Sequence, residues 1–478
     1  MLDPYILFVT NLFKFLYAKL IVGVSSIILC TNLFGQDLII PEPALQNAIA
    51  RSLGVSERSL SRSLVSEKLT RLEANDLGIR DLSGLEHATN LESLVLRDNL
   101  IDDFSPIQKL SKLKNLDLSG NRLSSLSTLA PLPAASLRIL NLSNNRLLGL
   151  TGIGGFGSLA QLDVSNNALI DLEGVGNLKG LVNFYAQGNQ LGRIENFADR
   201  NRNKEFDVGE TFTDESGNGK RDTNPLVEIQ NLPKLSSLYL YDNRISKLDQ
   251  LNNLPNLHTL LLSGNLIESI LPLSQFTSLK ILALGNNRIH TLDGIGDLKN
   301  LERLNLAENQ ICDLRILCEL KNLQNLDLNS NMITDLNDLS ELFRIHTLGL
   351  SRNLIRDPSP LFQLPGLRRI ILSFNHIPSD QTKYKDLFRE AEARGVYINT
   401  RSQSPHNPHV QSLVHSLIGH PKSNVVLGNY LRVHGYARLI ELLLDPTIKP
   451  TDLKTACQAW EQALKFENSI SDISFPGK

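Results

Sequence analysis

The sequence predicts an α/β fold in which a repeated strand-and-turn unit stacks into a curved solenoid with a parallel sheet on its concave face. The first observation is a recurring frame of Leu, two residues, Leu, one residue, Leu, two residues and Asn. The second is the spacing of that Asn, which is 22, 24, 22, 22 and 54 residues, followed by six steps of 22. Such a period is the signature of a repeat architecture. The repeated residues are Asn99, Asn121, Asn145, Asn167, Asn189, Asn243, Asn265, Asn287, Asn309, Asn331, Asn353 and Asn375.

The repeat Leu301–Ile311 shows why each residue type recurs in the frame. Leu304 and Leu306 alternate as in a short strand with one buried face. Asn309 follows the strand, where its amide can donate to and accept from the backbone of neighbouring turns. The rest of the repeat has a looser apolar pattern, which predicts a 3₁₀ or extended return. Because no repeat can bury its own leucines, stability must come from stacking.

Composition agrees with a leucine-built core. The chain has 478 residues, 6% aromatic residues and a formal net charge of -2. The balanced charge gives no support for nucleic acid as a partner. The four cysteines are irregularly placed and predict no disulfide framework.

Residues 1–36 are predicted to be a signal peptide or an N-terminal anchor. Lys14 and Lys19 precede the apolar run Leu20–Cys30, whose length fits a secretory signal better than a membrane span. We therefore expect a secreted, cell-surface or periplasmic protein. Contact with a membrane is expected only if this segment stays uncleaved.

Residues 37–68 are predicted to form a helical cap over the first repeat. The segment Pro41–Gly54 places five apolar residues on one helical face, and a second apolar helix is expected near Leu60–Leu69. A cap is needed because the first strand would otherwise expose a bare sheet edge. The apolar residues of the first helix are Ala44, Leu45, Ala48, Ile49 and Leu53.

About 13 repeats are expected over residues 69–398, interrupted by a loop at 194–229 that carries oxygen-bearing side chains at alternating positions. Such alternation suits calcium, which takes six to eight oxygen ligands. The sequence predicts a structural calcium site, with an Asx-rich surface loop that needs no metal as the alternative. Lys204 stands where the first loop needs its turn glycine, and Pro225 stands where the second needs its closing acid. The candidate ligands are Asp199, Asn201, Asn203, Asp207, Glu210, Asp214, Ser216, Asn218 and Asp222.

The repeats are predicted to close with a helix-and-strand cap at 379–398. A linker and a small helical region are expected over 399–478.

The repeat frame, the Pro41–Pro43 opening and the segment Gly78–Leu85 resemble the leucine-rich repeat family, in particular the 22-residue class typified by internalins. The resemblance implies an exported bacterial scaffold that recognises proteins and has no catalytic activity. Leu77, in the first repeat, stands where later repeats have Asn.

A candidate binding surface follows from the frame, because the residue between the second and third Leu points to the concave face. Most of this row is polar, but Tyr185, Tyr239 and Leu261 are consecutive, with Tyr241 beside them. Tyrosine is enriched where interfaces carry their binding energy. We predict that the tyrosines and the inserted loop form one recognition site. The alternative is that the tyrosines only pack under the loop.

Three other functions stay open from the sequence. The chain resembles, within the same class, intracellular regulatory subunits that bind phosphatases. Cell-surface glycan is a second candidate ligand after protein. The region 399–478 has no recognised family and is a candidate for a separate enzymatic or membrane-associated module.

Overall fold

In this computed structural model, the residues described are 38–127, 129, 135–193, 211, 213, 224–378, 382–401 and 403. They contain the α-helices α1 (Pro43–Leu53), α2 (Arg62–Lys68) and α3 (Thr382–Ala393). They also contain fourteen three-residue strands that follow the repeat frame. The strands are β1 Arg71–Glu73, β2 Ser93–Val95, β3 Asn115–Asp117, β4 Ile139–Asn141, β5 Gln161–Asp163, β6 Asn183–Tyr185, β7 Ser237–Tyr239, β8 Thr259–Leu261, β9 Ile281–Ala283, β10 Arg303–Asn305, β11 Asn325–Asp327, β12 Thr347–Gly349, β13 Arg369–Ile371 and β14 Tyr397–Asn399.

The chain divides into two compact units, residues 1–147 with 151–164, and residues 148–150 with 165–478. The first unit contains β1 to β5 and the second contains β6 to β14. In each unit the strands are parallel and ordered as in the chain. The predicted fold class, a leucine-rich repeat solenoid with a parallel sheet, is therefore confirmed.

Equivalent frame positions are aligned between neighbouring strands. Leu304 is in register with Leu282 on one side and Leu326 on the other, and all three are buried. After most strands the chain returns through a short 3₁₀ helix, as the looser apolar pattern predicted. These helices are Leu85–His87, Ser105–Ile107, Ile153–Gly155, Val175–Asn177, Pro225–Glu228, Leu271–Gln275, Ile295–Asp297, Arg315–Glu319, Asn337–Glu341 and Ser359–Gln363. A further 3₁₀ helix, Glu57–Ser59, precedes β1.

The repeated asparagines form a buried hydrogen-bond ladder. The Asn309 side-chain nitrogen donates to the carbonyls of Leu284, Leu306 and Ala307 at 3.0, 3.1 and 3.1 Å. Its side-chain oxygen accepts the Ile289 backbone N–H at 3.0 Å. The predicted double role of this amide, towards its own turn and the preceding one, is confirmed.

The residue before each ladder Asn has a left-handed backbone, which the sequence analysis did not predict. Early repeats place Gly, Asn or Asp there, the residue types that tolerate this conformation. The last four repeats place Glu308, Ser330, Arg352 and Phe374 there, with φ of 55°, 57°, 56° and 58°. Their side chains are held in a backbone conformation that costs about 1–2 kcal/mol for an ordinary residue.

The N-terminal helices differ in detail from the expectation. Helix α1 buries Leu45, Ala48, Ile49 and also Ala50, whereas Leu53 at its end is only partly buried. Its Ser52 hydroxyl donates to the Arg71 carbonyl of the edge strand at 2.7 Å. The cap therefore supplies a hydrogen-bond partner to one backbone group of that strand. A 3₁₀ turn precedes α2, which begins at Arg62 because Ser61 caps it through the Leu64 N–H.

The first repeat lacks its own Asn but is served by the next one. Asn99 accepts the N–H groups of Leu77 and Ile79 at 3.2 and 3.0 Å. The Leu77 side chain is 43% exposed, so this position does not require the buried asparagine that later repeats have.

The C-terminal end of the repeats extends further than the sequence indicated. Strand β14 reaches Asn399, and the Gln403 side chain donates to the Leu372 carbonyl at 2.9 Å. The same side chain accepts the Ile377 N–H at 3.2 Å, so Gln403 performs the role of the ladder Asn. The expected boundary between residues 398 and 399 therefore falls inside a hydrogen-bonded strand.

The expected end of the insertion, residue 229, falls inside a repeat. Pro225–Glu228 is the 3₁₀ return of a repeat, and Leu226 and Ile229 are fully buried. Asn224 caps this turn by accepting the Leu226 N–H at 3.0 Å, and Pro225 occupies its first position. Pro225 is therefore the first residue of a repeat's 3₁₀ return.

Several predictions lie outside the described residues. They are the N-terminal segment 1–36, the nine candidate calcium ligands and most of the region 399–478. Among the helices that the structure does describe, none has both the length and the apolar character needed to cross a bilayer.

Candidate functional site

The tyrosines singled out from the sequence lie on the sheet face that is turned away from the leucine core. Tyr185 on β6 is in register with Tyr239 on β7, which is in register with Leu261 on β8. The two rings are stacked, with centroids 4.5 Å apart and planes 20° apart. All three side chains are partly buried. We call Tyr185, Tyr239, Tyr241 and Leu261 the tyrosine surface.

Backbone pairing between the two repeats explains why these rings meet across the insertion. The Ala186 N–H donates to the Tyr239 carbonyl at 2.9 Å, and the Gly188 N–H donates to the Tyr241 carbonyl at 3.0 Å. Strands β6 and β7 thus stay neighbours although about fifty residues separate them in the chain. Parallel strands lie about 4.8 Å apart, which is the spacing at which equivalent rings stack.

Gln187 is a further residue of this region that the sequence analysis missed. It occupies the frame position equivalent to that of Tyr241, one residue past the third apolar position. Its side-chain oxygen is buried and has no hydrogen-bond partner within the described part of the chain. The repeat frame could have identified Gln187, because Ser165 and Tyr241 occupy the same position in the flanking repeats.

The same face of the second unit has an open depression of about 360 Å³ over β9 to β13. Its floor includes the small residues Ala283 and Gly349. A Cβ on Gly349 would lie 2.7 Å from an Asp327 carboxylate oxygen, so a larger residue there would require that side chain to shift. Burial raises the pKa of Asp327, and the N–H of Asn329, which donates to its carboxylate at 3.0 Å, opposes that shift.

The corresponding face of the first unit includes a buried carboxylate, Asp117, that is hydrogen-bonded within the protein. Asp117 is 5% exposed and accepts from the Arg97 guanidinium at 2.7 Å. The Ser119 hydroxyl and the Asn141 amide also donate to it, at 2.7 and 3.2 Å. This carboxylate is therefore a structural link between three repeats.

The nine candidate calcium ligands lie outside the described residues. Among the residues that are described, no group of three or more His, Cys, Asp or Glu side chains is arranged to hold a metal ion. Cys312 and Cys318 are both free thiols.

Comparison with known proteins identifies the repeat. A family model for leucine-rich repeats matches residues 89–133 and 277–319, and a second leucine-rich repeat model matches 136–159. The chain therefore contains leucine-rich repeats. No curated protein matches it in sequence.

Solved structures with the same fold include an internalin from Listeria monocytogenes. It is 27% identical to this chain, with a TM-score of 0.63, covering 76% of this chain and 95% of the internalin. A plant peptide hormone receptor, solved in complex with RGF2, is 22% identical with a TM-score of 0.53, covering 72% of this chain and 54% of the receptor. The LRIM1/APL1C complex is 18% identical with a TM-score of 0.52, covering 84% and 77%.

Proposed function

We propose that this protein is a non-enzymatic, internalin-like binding scaffold of the 22-residue repeat class, exported from a bacterial cell. The observation that carries the proposal is the stacked pair Tyr185 and Tyr239 on the open face of the sheet. The similarity to the Listeria internalin, which extends over 95% of that chain, supports the class. A protein partner is favoured because an extended sheet face suits a macromolecule better than a metabolite.

The tyrosine surface has the chemistry of a protein interface. Each ring offers a wide apolar area and a hydroxyl, and a tyrosine loses little entropy when it is immobilised. Because Tyr185 and Tyr239 stack on each other, their orientations are fixed before a partner arrives. Leu261 extends the apolar area to the next strand.

The test is capture of extracellular and cell-surface proteins by the immobilised full chain. The variant Tyr185→Ala/Tyr239→Ala should lose a ligand that the parent retains, because removing a central aromatic anchor typically costs about 2 kcal/mol or more of binding energy. The control Asn305→Ala changes the equivalent frame position three strands from Tyr239 and should retain the ligand. Equal capture by all three proteins would contradict the assignment.

Thermal unfolding separates recognition from packing. If the tyrosines serve recognition, the double variant should unfold within a few degrees of the parent, since the lost pair contributes about 0.5–1.5 kcal/mol. A large fall in the unfolding temperature would instead mean that the rings support the inserted loop.

Export has its own test. Protein recovered from outside the cytoplasm should lack the segment up to about residue 36, as N-terminal sequencing would reveal. Recovery of the chain from the cytosol with Met1 retained would favour the intracellular regulatory alternative.

A further inference from the structure

The depression over β9 to β13 contains a carboxylate, Asp327, that has a direct equivalent in the first unit. Asp327 and Asp117 occupy the same frame position, between the second and third Leu of their repeats. In both repeats the backbone N–H two residues later donates to Oδ1 of the carboxylate at 3.0 Å. The surroundings of the two carboxylates can therefore be compared position by position.

The second carboxylate oxygen has different surroundings in the two repeats. Asp117 Oδ2 accepts from the Arg97 guanidinium at 2.7 Å and from the Asn141 amide at 3.2 Å. Within the described part of the chain, no side chain donates to the Asp327 carboxylate, which forms no ion pair there. Asp327 is nevertheless partly buried, and a carboxylate that is withdrawn from water without a cation beside it lowers the stability of the fold.

Two small residues account for the difference. In the second unit the frame position of that arginine is taken by Ala307, and the position of that amide is taken by Gly349. Gly349 belongs to the floor of the depression, next to Asp327. The depression of about 360 Å³ therefore lies beside a carboxylate whose two partner side chains are replaced by a methyl group and a hydrogen atom.

The end of the depression at Asp327 carries negative charge. Burial raises the pKa of the Asp327 carboxyl, and the negative charge of Glu308 raises it further. Arg303 and Arg369 line the opposite end, because they begin β10 and β13. Asp327 ends β11, and two residues of strand span about 6.6 Å. One cation beside Asp327 would thus offset both effects on its carboxyl, whereas a second would approach the two arginines.

We propose that Asp327 binds the guanidinium of a single arginine from a protein partner, in the way that Asp117 binds Arg97 within this chain. The contact between Arg97 Nε and Asp117 Oδ2, at 2.7 Å, is the template. Arginine suits the position better than lysine because its guanidinium is planar and more weakly hydrated, so it enters a partly buried site more readily. The inference rests on the proposed function in that the partner is a protein, but it uses strands other than those of the tyrosine surface.

The probe is Nα-acetyl-arginine methylamide, whose binding to the full chain is followed by saturation-transfer NMR. Asp327→Asn should weaken binding about tenfold or more, the effect of losing one charge-assisted hydrogen bond. The control Asp293→Asn removes the same charge from an exposed carboxylate outside the depression and should leave the affinity unchanged. Equal losses in the two variants, or no binding to the parent, would overturn the proposal.

Restoring the internal partner gives an independent test. Ala307→Arg places an arginine at the frame position of Arg97 and should abolish probe binding, because the chain then supplies its own guanidinium to Asp327. Ser263→Arg adds the same charge at that frame position two repeats earlier and should retain the probe. Probe binding that survives Ala307→Arg would overturn the assigned position.

Two further probes test the chemistry of the ligand. Nα-acetyl-citrulline methylamide has the shape of the arginine probe without its charge, and Nα-acetyl-lysine methylamide has the charge without the planar group. Both should bind less tightly, and equal binding of either would overturn the assignment to arginine. Tyr185→Ala/Tyr239→Ala should leave probe binding unchanged. Failure of the probe, with the ligand of the tyrosine surface still lost in that double variant, would overturn this proposal alone.

Discussion

Replacing Asn309 by alanine tests the physical basis of the whole stack. The change removes the only acceptor that the described residues offer to the Ile289 N–H, which is fully buried. Leaving a buried donor without a partner costs about 1–3 kcal/mol. Asn309 is 2% exposed, so water does not reach the site to compensate.

The carbonyls that Asn309 contacts are not orphaned by the same change. Leu284 O also accepts from Asn287 at 2.9 Å, and Leu306 O also accepts from Asn331 at 2.9 Å. Ala307 O, the third carbonyl, also accepts the Asn286 backbone N–H at 2.8 Å. One hydrogen bond therefore survives at each of the three carbonyls. The expected loss is therefore about 1–3 kcal/mol, the effect of one orphaned donor, and not the sum of four hydrogen bonds.

The matched control is Asn300→Ala, an exposed asparagine that makes one surface hydrogen bond to the Thr277 carbonyl at 3.0 Å. Chemical denaturation should place Asn309→Ala clearly below the parent and Asn300→Ala within about 0.5 kcal/mol of it. Hydrogen exchange at the Ile289 amide should accelerate only in the first variant. Equal denaturation midpoints for the two variants, with unchanged exchange at Ile289, would refute the ladder argument.

Three further perturbations follow from other features. Gly192→Ala should lower the free energy of unfolding of the second unit by about 2 kcal/mol or more in chemical denaturation. Gly192 has φ of 91°, and a Cβ there would lie 2.6 Å from the Arg244 carbonyl oxygen. An unchanged denaturation midpoint would contradict this backbone conformation at Gly192. Asp327→Asn should stabilise the protein near neutral pH but not in acid. Burial raises the pKa of Asp327, so the native state binds the proton more tightly, and the stability linked to that proton is lost as pH rises; a gain that persists in acid would contradict this. Calcium should raise the unfolding temperature of the parent but not of Asp207→Asn/Glu210→Gln, with about 2.7 kcal/mol expected at a hundredfold excess over Kd; equal shifts in both proteins would favour the metal-free loop.

The strands and the tyrosine pair were accessible from sequence because both follow from the repeat period. Once Asn189 and Asn243 are recognised as equivalent, Tyr185 and Tyr239 must occupy equivalent positions on adjacent strands, whatever lies between them in the chain. The ring separation of 4.5 Å is then close to the spacing of the strands themselves.

The features that the period did not reveal arise where the chain departs from it. Gln403 lies 28 residues after Asn375, because helix α3 intervenes, so no spacing argument identifies it as the final rung of the ladder. Pro225 was counted at the closing position of the second calcium loop, where it departs from the expected acid, although proline also suits the first turn of a helix. The left-handed position was obscured because Arg352 and Phe374 occupy it in place of Gly, Asn or Asp.

The position of Gln403 decides where a recombinant fragment of the repeats should stop. A fragment that ends at residue 398 loses the Asn399 carbonyl that accepts the Leu372 N–H, and it leaves Ile377 without an acceptor. Its terminal leucine layer would then be exposed to proteases and to other copies of the chain, since an uncovered strand edge promotes aggregation. Residues 399–403 preserve these hydrogen bonds and cover that end of the sheet. A soluble binding domain for crystallisation or surface display should therefore retain them.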